Sequence, residues 1–465
     1  MPAMLKRQLQ CRWLVLMIPG LVLMAAGCSS IAPAPSQSAV PHARLLAPDS
    51  PPSSPSKPET LPGYLVIVPP KHEEPAKPVI EPLTLDKLID LAADNQPEIR
   101  AAQARAQAAR GQLIQAGLYP NPILTWIGAQ MLDKHNAAGE EGPLYLQEIV
   151  TARKLQLAER AAAHGVAAAD WRAMTKWFDV MTRVRQAYYD VLTTQEEVNV
   201  SEELVDLAEK GYKAAQKMEK ANALAAPDVL QARVELNQSK MRLAVSKERA
   251  DAAWQLLTIA VGLPGMSAGP LVGNLKEPAP DYDWHPVAET VLTRSSEVQE
   301  ALANVRQAEA LLRRAQAERI PNVKLGVRPF YSFPEQDKRM DVEISMPLPC
   351  FNRNQGNIYS AEADVIRTRQ GVQEVELKLQ ERLTSAFQRY RTARQQVELY
   401  RKEILRDADD SMRLVQQGYE KGDARYGYFA LLQAQRTEAQ VRLAYVQALS
   451  ELWRSTAEIS GLLQE

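Results

Sequence analysis

Two periods of apolar residues run through the second half of this chain and meet at one point. In "NVKLGVRPF" Val323, Leu325 and Val327 alternate with Lys324, Gly326 and Arg328, and in "RMDVEISM" Met340, Val342, Ile344 and Met346 alternate with Asp341, Glu343 and Ser345. A period of two with one apolar and one charged face predicts β-strands. Farther on, Leu383, Tyr390, Val397 and Ile404 interleave with Leu379, Ala386, Ala393 and Tyr400. That seven-residue, 3-4 spacing predicts a coiled-coil helix. Between the two periods lies "MPLPCFNRNQGNI" (346–358). Pro347 and Pro349 cannot donate to a sheet ladder, so they end the strand. The amides and Arg353 are placed to satisfy freed backbone groups, and Gly356 leaves room for a neighbouring helix. The stretch predicts a strand-to-helix joint rather than a catalytic loop, with Cys350 a small, half-buried side chain within it.

The first half repeats the pattern. Pro120-Asn121 returns as Pro321-Asn322, "EKAN" at 219–222 as "EKGD" at 420–423, and Trp254 and Gly262 as Trp453 and Gly461. Strands are predicted in "NPILTWIGAQ" (121–130) and "GPLYLQEIV" (142–150), with less clean alternation. The coiled-coil register there runs through Trp177, Val184, Val191, Val198, Val205 and Tyr212. A second seam follows Val180, Ala187, Thr194, Ser201, Ala208 and Ala215. The body therefore reads as a tandem duplication, 83–275 and 286–465, joined by the Gly/Pro-rich "GLPGMSAGPLVGNLKEPAPD" (262–281), with 276–285 as the linker between the repeats. In the first joint, "IVTARKLQL", no proline pair occurs, and Arg153-Lys154 reads as ordinary divergence between the halves.

Residues 152–218 contain no proline, and an unbroken helix of that length reaches about 100 Å. Such a rod spans a distance; a compact enzyme has no use for it. Each strand is about eight to ten residues long, near what a tilted membrane strand needs. Charges facing a packed core are costly unless paired, and facing water they cost little. Two strand pairs are too few to enclose water, so a membrane barrel requires several chains. A soluble sandwich with one solvated face is the competing reading of the strands.

The N-terminus sets the compartment. Lys6, Arg7 and Arg12 precede the apolar run WLVLMIPGLVLMAA, and Ala26, Gly27 and Cys28 follow it. This is an export signal over 1–28, and "AAGC" resembles the bacterial lipoprotein box, which makes Cys28 the lipidated first residue. With Cys11 removed and Cys28 acylated, only Cys350 remains, so no internal disulfide is possible. Residues 29–82 are rich in Pro, Ser and Ala and read as an extended tether. "YLVIV" (64–68) is its one apolar island. The formal net charge is -1 and no block of like charge occurs, which argues against nucleic acid as a partner.

Chemistry-bearing constellations are missing from the sequence. His42, His72, His135, His164 and His285 have no ligand spacing, so neither a metal site nor a cofactor is expected. No GxSxG, phosphate loop or Cys–His pairing is found.

Duplicated halves, PN-headed strands, a spacing of about 200 residues and long hairpins together resemble the TolC family of outer-membrane efflux proteins, most closely its heavy-metal branch. "MPLPCFNRNQGNI" looks like that branch's strand-to-helix signature. "YEKGDARYGYFALLQAQRTEAQ" (419–440) and "EKANALAAPDVLQAR" (219–233) are similar to its hairpin tips. The resemblance covers about 83–462 and implies a mainly α fold with a small β part. In it a long α-helical coiled-coil barrel continues a β-barrel in outer-membrane lipid, closed by three chains with four strands each. It implies a homotrimer working with a periplasmic adaptor and an inner-membrane efflux pump, as the passive exit duct for metal ions or drugs.

At the tips, Pro227 suits the first turn of the returning helix, and Asp228 suits the positive helix end. By resemblance, Asp228 bridges neighbouring hairpins through Tyr419 or Arg425 and so latches the tunnel mouth. The small residues around "NALA" and "GDARYG", Gly422 among them, offer an adaptor its docking surface. A lipid-anchored periplasmic coiled-coil adaptor or scaffold without a pore is the alternative, and the amphipathic strand pairs argue against it. Two acidic positions that narrow the tunnel in some relatives appear here as Ala430 and Gln433, so cation preference at that height is expected to be weak. Gln433→Asp is then predicted to raise cation selectivity in planar bilayers, and an unchanged reversal potential would place the constriction elsewhere.

Overall fold

The structure is a computed structural model that describes residues 83–129, 139–222, 224–421, 423 and 425–464. Cys28, the tether, Gly422, His42, His72 and His135 lie outside the described residues.

The series of elements occurs twice. A helix pair, α1 (Leu85–Asn95) and α2 (Pro97–Gly117), leads into strands β1 (Ile123–Ala129) and β2 (Glu140–Ile149). The 67-residue α3 (Lys154–Lys220) then runs to a tip, and α4 (Ala226–Val261) returns. The second series is α5 (Trp284–Arg294), α6 (Ser296–Ala317), β3 (Val323–Ser332), β4 (Asp337–Ser345), α7 (Gln355–Leu399), α8 (Leu405–Glu420) and α9 (Tyr428–Leu463). Local signals set the helix ends. Thr84 Oγ1 accepts from the Lys87 N–H at the start of α1, and Ser295 Oγ accepts from the Glu297 N–H at the start of α6. Pro97 opens α2, where its missing N–H costs nothing. Gly262 ends α4 at φ 85°, a conformation that side chains resist.

The long helices pack along the predicted seams. Val180, Val184, Val191, Ser201, Ala208 and Ala215 are buried on α3, and Leu379, Leu383, Ala386, Tyr390 and Ala393 on α7. The second copy then departs from the expected register. A π-helical turn, Tyr400–Ile404, separates α7 from α8 and inserts one residue into the seam. Continuing the heptad would bury Asp407 and Ser411. The structure exposes both and buries Ala408 and Met412 instead. The extra residue moves two polar side chains out and two apolar ones in.

The segment expected as a linker is a strap bound to the helices. Leu83 and Leu271 form an isolated bridge. Trp254 and Trp453, the repeated tryptophans, donate their indole N–H groups to the carbonyls of Met266 (3.2 Å) and Leu275 (2.8 Å). Tyr188 donates to Val272 O (2.5 Å) and Tyr390 to Pro280 O (2.7 Å). Under the strap lies one core cluster of α1, α3, α4 and α9 residues, and a second joins α5, α7 and α9.

The strands form one antiparallel four-stranded sheet in the order β1-β2-β3-β4, so the β2–β3 pairing joins the two halves. No helix among the described residues is long and apolar enough to cross a membrane.

Candidate functional site

Register sorts the sheet's side chains onto two faces. Val327 pairs with Val342 and Tyr145, Leu325 with Ile344, Pro329 with Met340, Leu124 with Tyr145, and Trp126 with Pro143. These residues share one face, on which Gln147 and, toward the hairpin turns, Glu141 and Lys338 are the polar members among the apolar ones. It is open in the single chain: Leu124 is 73% exposed, Trp126 68%, Met340 67% and Ile344 72%. The opposite face carries Glu140, Glu148, Lys324, Arg328, Arg339, Asp341 and Glu343 among smaller and apolar residues. There the Arg328 guanidinium reaches Asp341 (2.6 Å) and Glu140 (3.1 Å) and lies over the Phe330 ring. Close packing of β2 on β3 depends on Gly142, since a Cβ there would meet Pro329 O at 2.2 Å.

At the second joint the strand ends at Ser345, before Pro347 and Pro349, and α7 begins at Gln355. Its polar groups satisfy local backbone, as the sequence indicated. Arg353 Nε donates to Pro349 O (3.3 Å), Gln355 Nε2 to Phe351 O (3.2 Å) and Asn354 Nδ2 to Ala315 O at the end of α6 (2.8 Å). Two expectations are corrected. Cys350 is exposed rather than half-buried, because the segment leaves the sheet with its side chains turned outward; Leu348 is 74% and Phe351 95% exposed. Gly356 approaches no helix within the chain, since nothing lies within 4 Å of a Cβ placed there.

The first joint holds what sequence reasoning missed. Lys154, read as divergence, is buried with its side chain only 6% exposed and lies 3.5 Å from Glu318. Its Nζ donates to Asn322 Oδ1 (2.6 Å), which also accepts from the Thr151 N–H (3.3 Å). Asn322 Nδ2 donates to Glu148 Oε1 (2.7 Å), and Thr151 Oγ1 donates to Pro321 O (2.7 Å). The PN motif therefore fastens the α6–β3 corner of one half to the β2–α3 corner of the other. The recurrence of PN was a signal of importance, but its partner, 168 residues away, was invisible to periodicity.

At the hairpin tips, Tyr428, Val229, Ala232 and Ala215 form a small core with Tyr212, Leu224 and Tyr419 around it. Pro227 and Asp228 lie in the first turn of α4, with Asp228 half-buried. Within the chain Asp228 bonds to neither proposed partner. The Tyr419 hydroxyl donates to Met218 Sδ (2.7 Å), and Arg425 pairs with Asp423 (2.8 Å), which holds that carboxyl below its usual range. Burial raises Tyr419 and, with Tyr419, Glu235 and Asp228 close by, pushes Tyr428 up to about 12. Gln433 is exposed one turn into α9. Farther from the tip, Arg436 binds Glu235 (2.6 Å), and Arg442 joins Glu438 (2.7 Å), Glu203 (2.9 Å) and Asp409 (3.7 Å). The Glu235 and Glu203 pairs join the second hairpin to the first, while Glu438 and Asp409 belong to the second hairpin itself. No group of three or more metal-ligating side chains occurs among the described residues.

Residues 287–463 match the profile of the family described as outer membrane efflux protein. The cobalt-zinc-cadmium resistance protein CzcC of Cupriavidus metallidurans is 26% identical over 391 residues, covering 82% of this chain and 90% of that protein. Among solved structures, the outer-membrane channel OprN superposes with a TM-score of 0.70 at 17% identity, over 82% of this chain and 89% of its own. CusC superposes with a TM-score of 0.69 at 17% identity, over 84% of this chain and 95% of its own. The likeness expected from the sequence holds, and the fold is that of these channels.

The buried lysine and its asparagine rank two substitutions. Asn322→Leu removes the hydrogen-bond acceptor of the buried Lys154 ammonium, leaving it only the 3.5 Å contact with Glu318, and is expected to cost roughly 3 kcal/mol. Lys154→Met leaves Glu318 solvated and Asn322 still bonded to Thr151, and should cost about 1 kcal/mol. Urea midpoints of the purified protein check this order, and adding Lys154→Met to Asn322→Leu should recover much of the loss.

Proposed function

We propose that this chain, which carries an outer membrane efflux protein domain on the fold of the outer-membrane efflux channels, is the exit duct of a tripartite efflux pump. The observation that carries the reading is the two-faced sheet. Its apolar face suits lipid, and its charged face suits a water-filled lumen. Closed helical hydrogen bonding and a closed barrel are the ways a chain can cross lipid, and four strands per chain call for a trimer to close the ring. The long helices then extend the conduit through the periplasm. A periplasmic adaptor and an inner-membrane pump are its partners, docking at the tips near Gly422, and Cys28 carries the lipid anchor.

Cargo passes without a chemical step. Metal ions or drugs both suit such a conduit, and the name of the CzcC relative favours divalent cations. A pore-less, lipid-anchored adaptor is the competing reading, and the exposed apolar sheet face opposes it.

The latch belongs to this proposal. Asp228 of one hairpin meets Tyr419 or Arg425 of a neighbouring hairpin, and in the second case it shares or competes for the guanidinium that Asp423 binds within the chain. Planar bilayers test both levels. The purified mature protein is expected to form heat-modifiable trimers that conduct ions, and a silent monomer rejects the duct. Asp228→Asn is expected to raise single-channel conductance, and no change rejects the latch alone. A deletion strain scored against metals and drugs identifies the cargo.

A further inference from the structure

The duplication allows one contact in the chain to predict another that the single chain cannot make. Within the chain, Asn322 at the head of β3 docks on Thr151 and Lys154, where β2 turns into α3. The other half has the same two parts, unjoined. Asn121 heads β1 in the same Pro-Asn dipeptide, is exposed, and makes no side-chain hydrogen bond among the described residues. The matching corner is the β4–α7 joint. Both long helices start from a residue in left-handed conformation, Arg153 (φ 56°) and Asn354 (φ 61°). Gln355 thus holds the place of Lys154, and Asn352 that of Thr151. Asn352, Arg353 and Gln355 are exposed.

The helices and strands agree on where the missing partner stands. Packing runs from α2 to α3 to α6 to α7, so α2 and α7 are the ends of a row and β1 and β4 the edges of the sheet. Both ends show apolar side chains without cover: Ile114 is 68% exposed on α2, and Tyr359 76% and Ile366 63% on α7. Asn121 lies at one end of this row and Asn352–Gln355 at the other, as a head-to-tail ring requires.

We infer that Asn121 of each protomer docks into the Asn352–Gln355 joint of a neighbouring copy of this chain, repeating between chains the Asn322 contact made within it. The inference rests on the multi-chain duct proposed above and adds the residues that close its ring. It gives a second role to Asn352 and Gln355, whose side chains also bond backbone within the joint. Gln355 replaces a cation with a neutral group, so the contact between chains is the weaker and the one that opens when the ring comes apart.

The test uses full-length protein in detergent with Cys350→Ser and Cys28 retained. Oxidation of Asn121→Cys with Asn352→Cys, or with Arg353→Cys, is expected to give linked dimers and trimers on denaturing gels. Each single variant should stay monomeric there. Asn121→Ala should lower the temperature at which unheated trimers dissociate. Intact trimers that neither pair links, with an unchanged dissociation temperature for Asn121→Ala, overturn the inference and leave the duct standing. A parent protein that is itself monomeric overturns the duct and this contact with it.

Discussion

An apolar sheet face and two unpaired sheet edges cannot both be left in water, and the four strands of this chain present both. Each edge offers a row of unsatisfied N–H and C=O groups, a template for pairing with another chain. The open face carries Leu124, Trp126, Met340, Val342 and Ile344 with more than half their surface exposed. At roughly 1.5–3 kcal/mol per large apolar side chain, hiding these five is worth on the order of 10 kcal/mol per protomer. A ring of copies placed in lipid removes edges and face together. The other features follow from holding that ring above a long conduit.

The helices supply the conduit, and ordinary core packing positions them. Small residues in the seams of α3 and α7 let the rods approach closely. The strap at 262–283 holds them at the level where the repeated tryptophans bond its carbonyls. The corners are handled polarly, because there the backbone leaves one hydrogen-bonding scheme for another. One corner uses a buried lysine and an asparagine, the other a cluster of amides. The two halves share a plan and differ in chemistry at the point where the two kinds of contact, within the chain and between chains, have to differ.

Much of this was legible in the sequence because periodicity reports which side of an element is dry. The strand alternation at 323–327 and 340–346, the proline stop before Pro349 and the unbroken helix to about 220 were all readable. What escaped was non-local. Lys154 looked like drift because its partners Asn322 and Glu318 are far away in sequence. The π turn at Tyr400–Ile404 leaves no trace in composition, and only the exchange of Asp407 and Ser411 for Ala408 and Met412 reveals the slipped seam. Gly356 and Cys350 were expected to have close neighbours, and within the single chain Gly356 has none and Cys350 is exposed. The tip residues Asp228, Tyr419 and Arg425 were found by resemblance, and their proposed pairing needs a neighbouring hairpin.

The central claim is that the face carrying Met340, Val342 and Ile344 contacts lipid and the face carrying Asp341 and Glu343 contacts water. Spin labels placed singly at 340 through 344 in Cys350→Ser protein, reconstituted in bilayers, measure this directly through relaxation by oxygen and by a water-soluble nickel chelate. Strict alternation is expected, with oxygen access high at 340, 342 and 344 and nickel access high at 341 and 343. Equal nickel access at all five positions would contradict it.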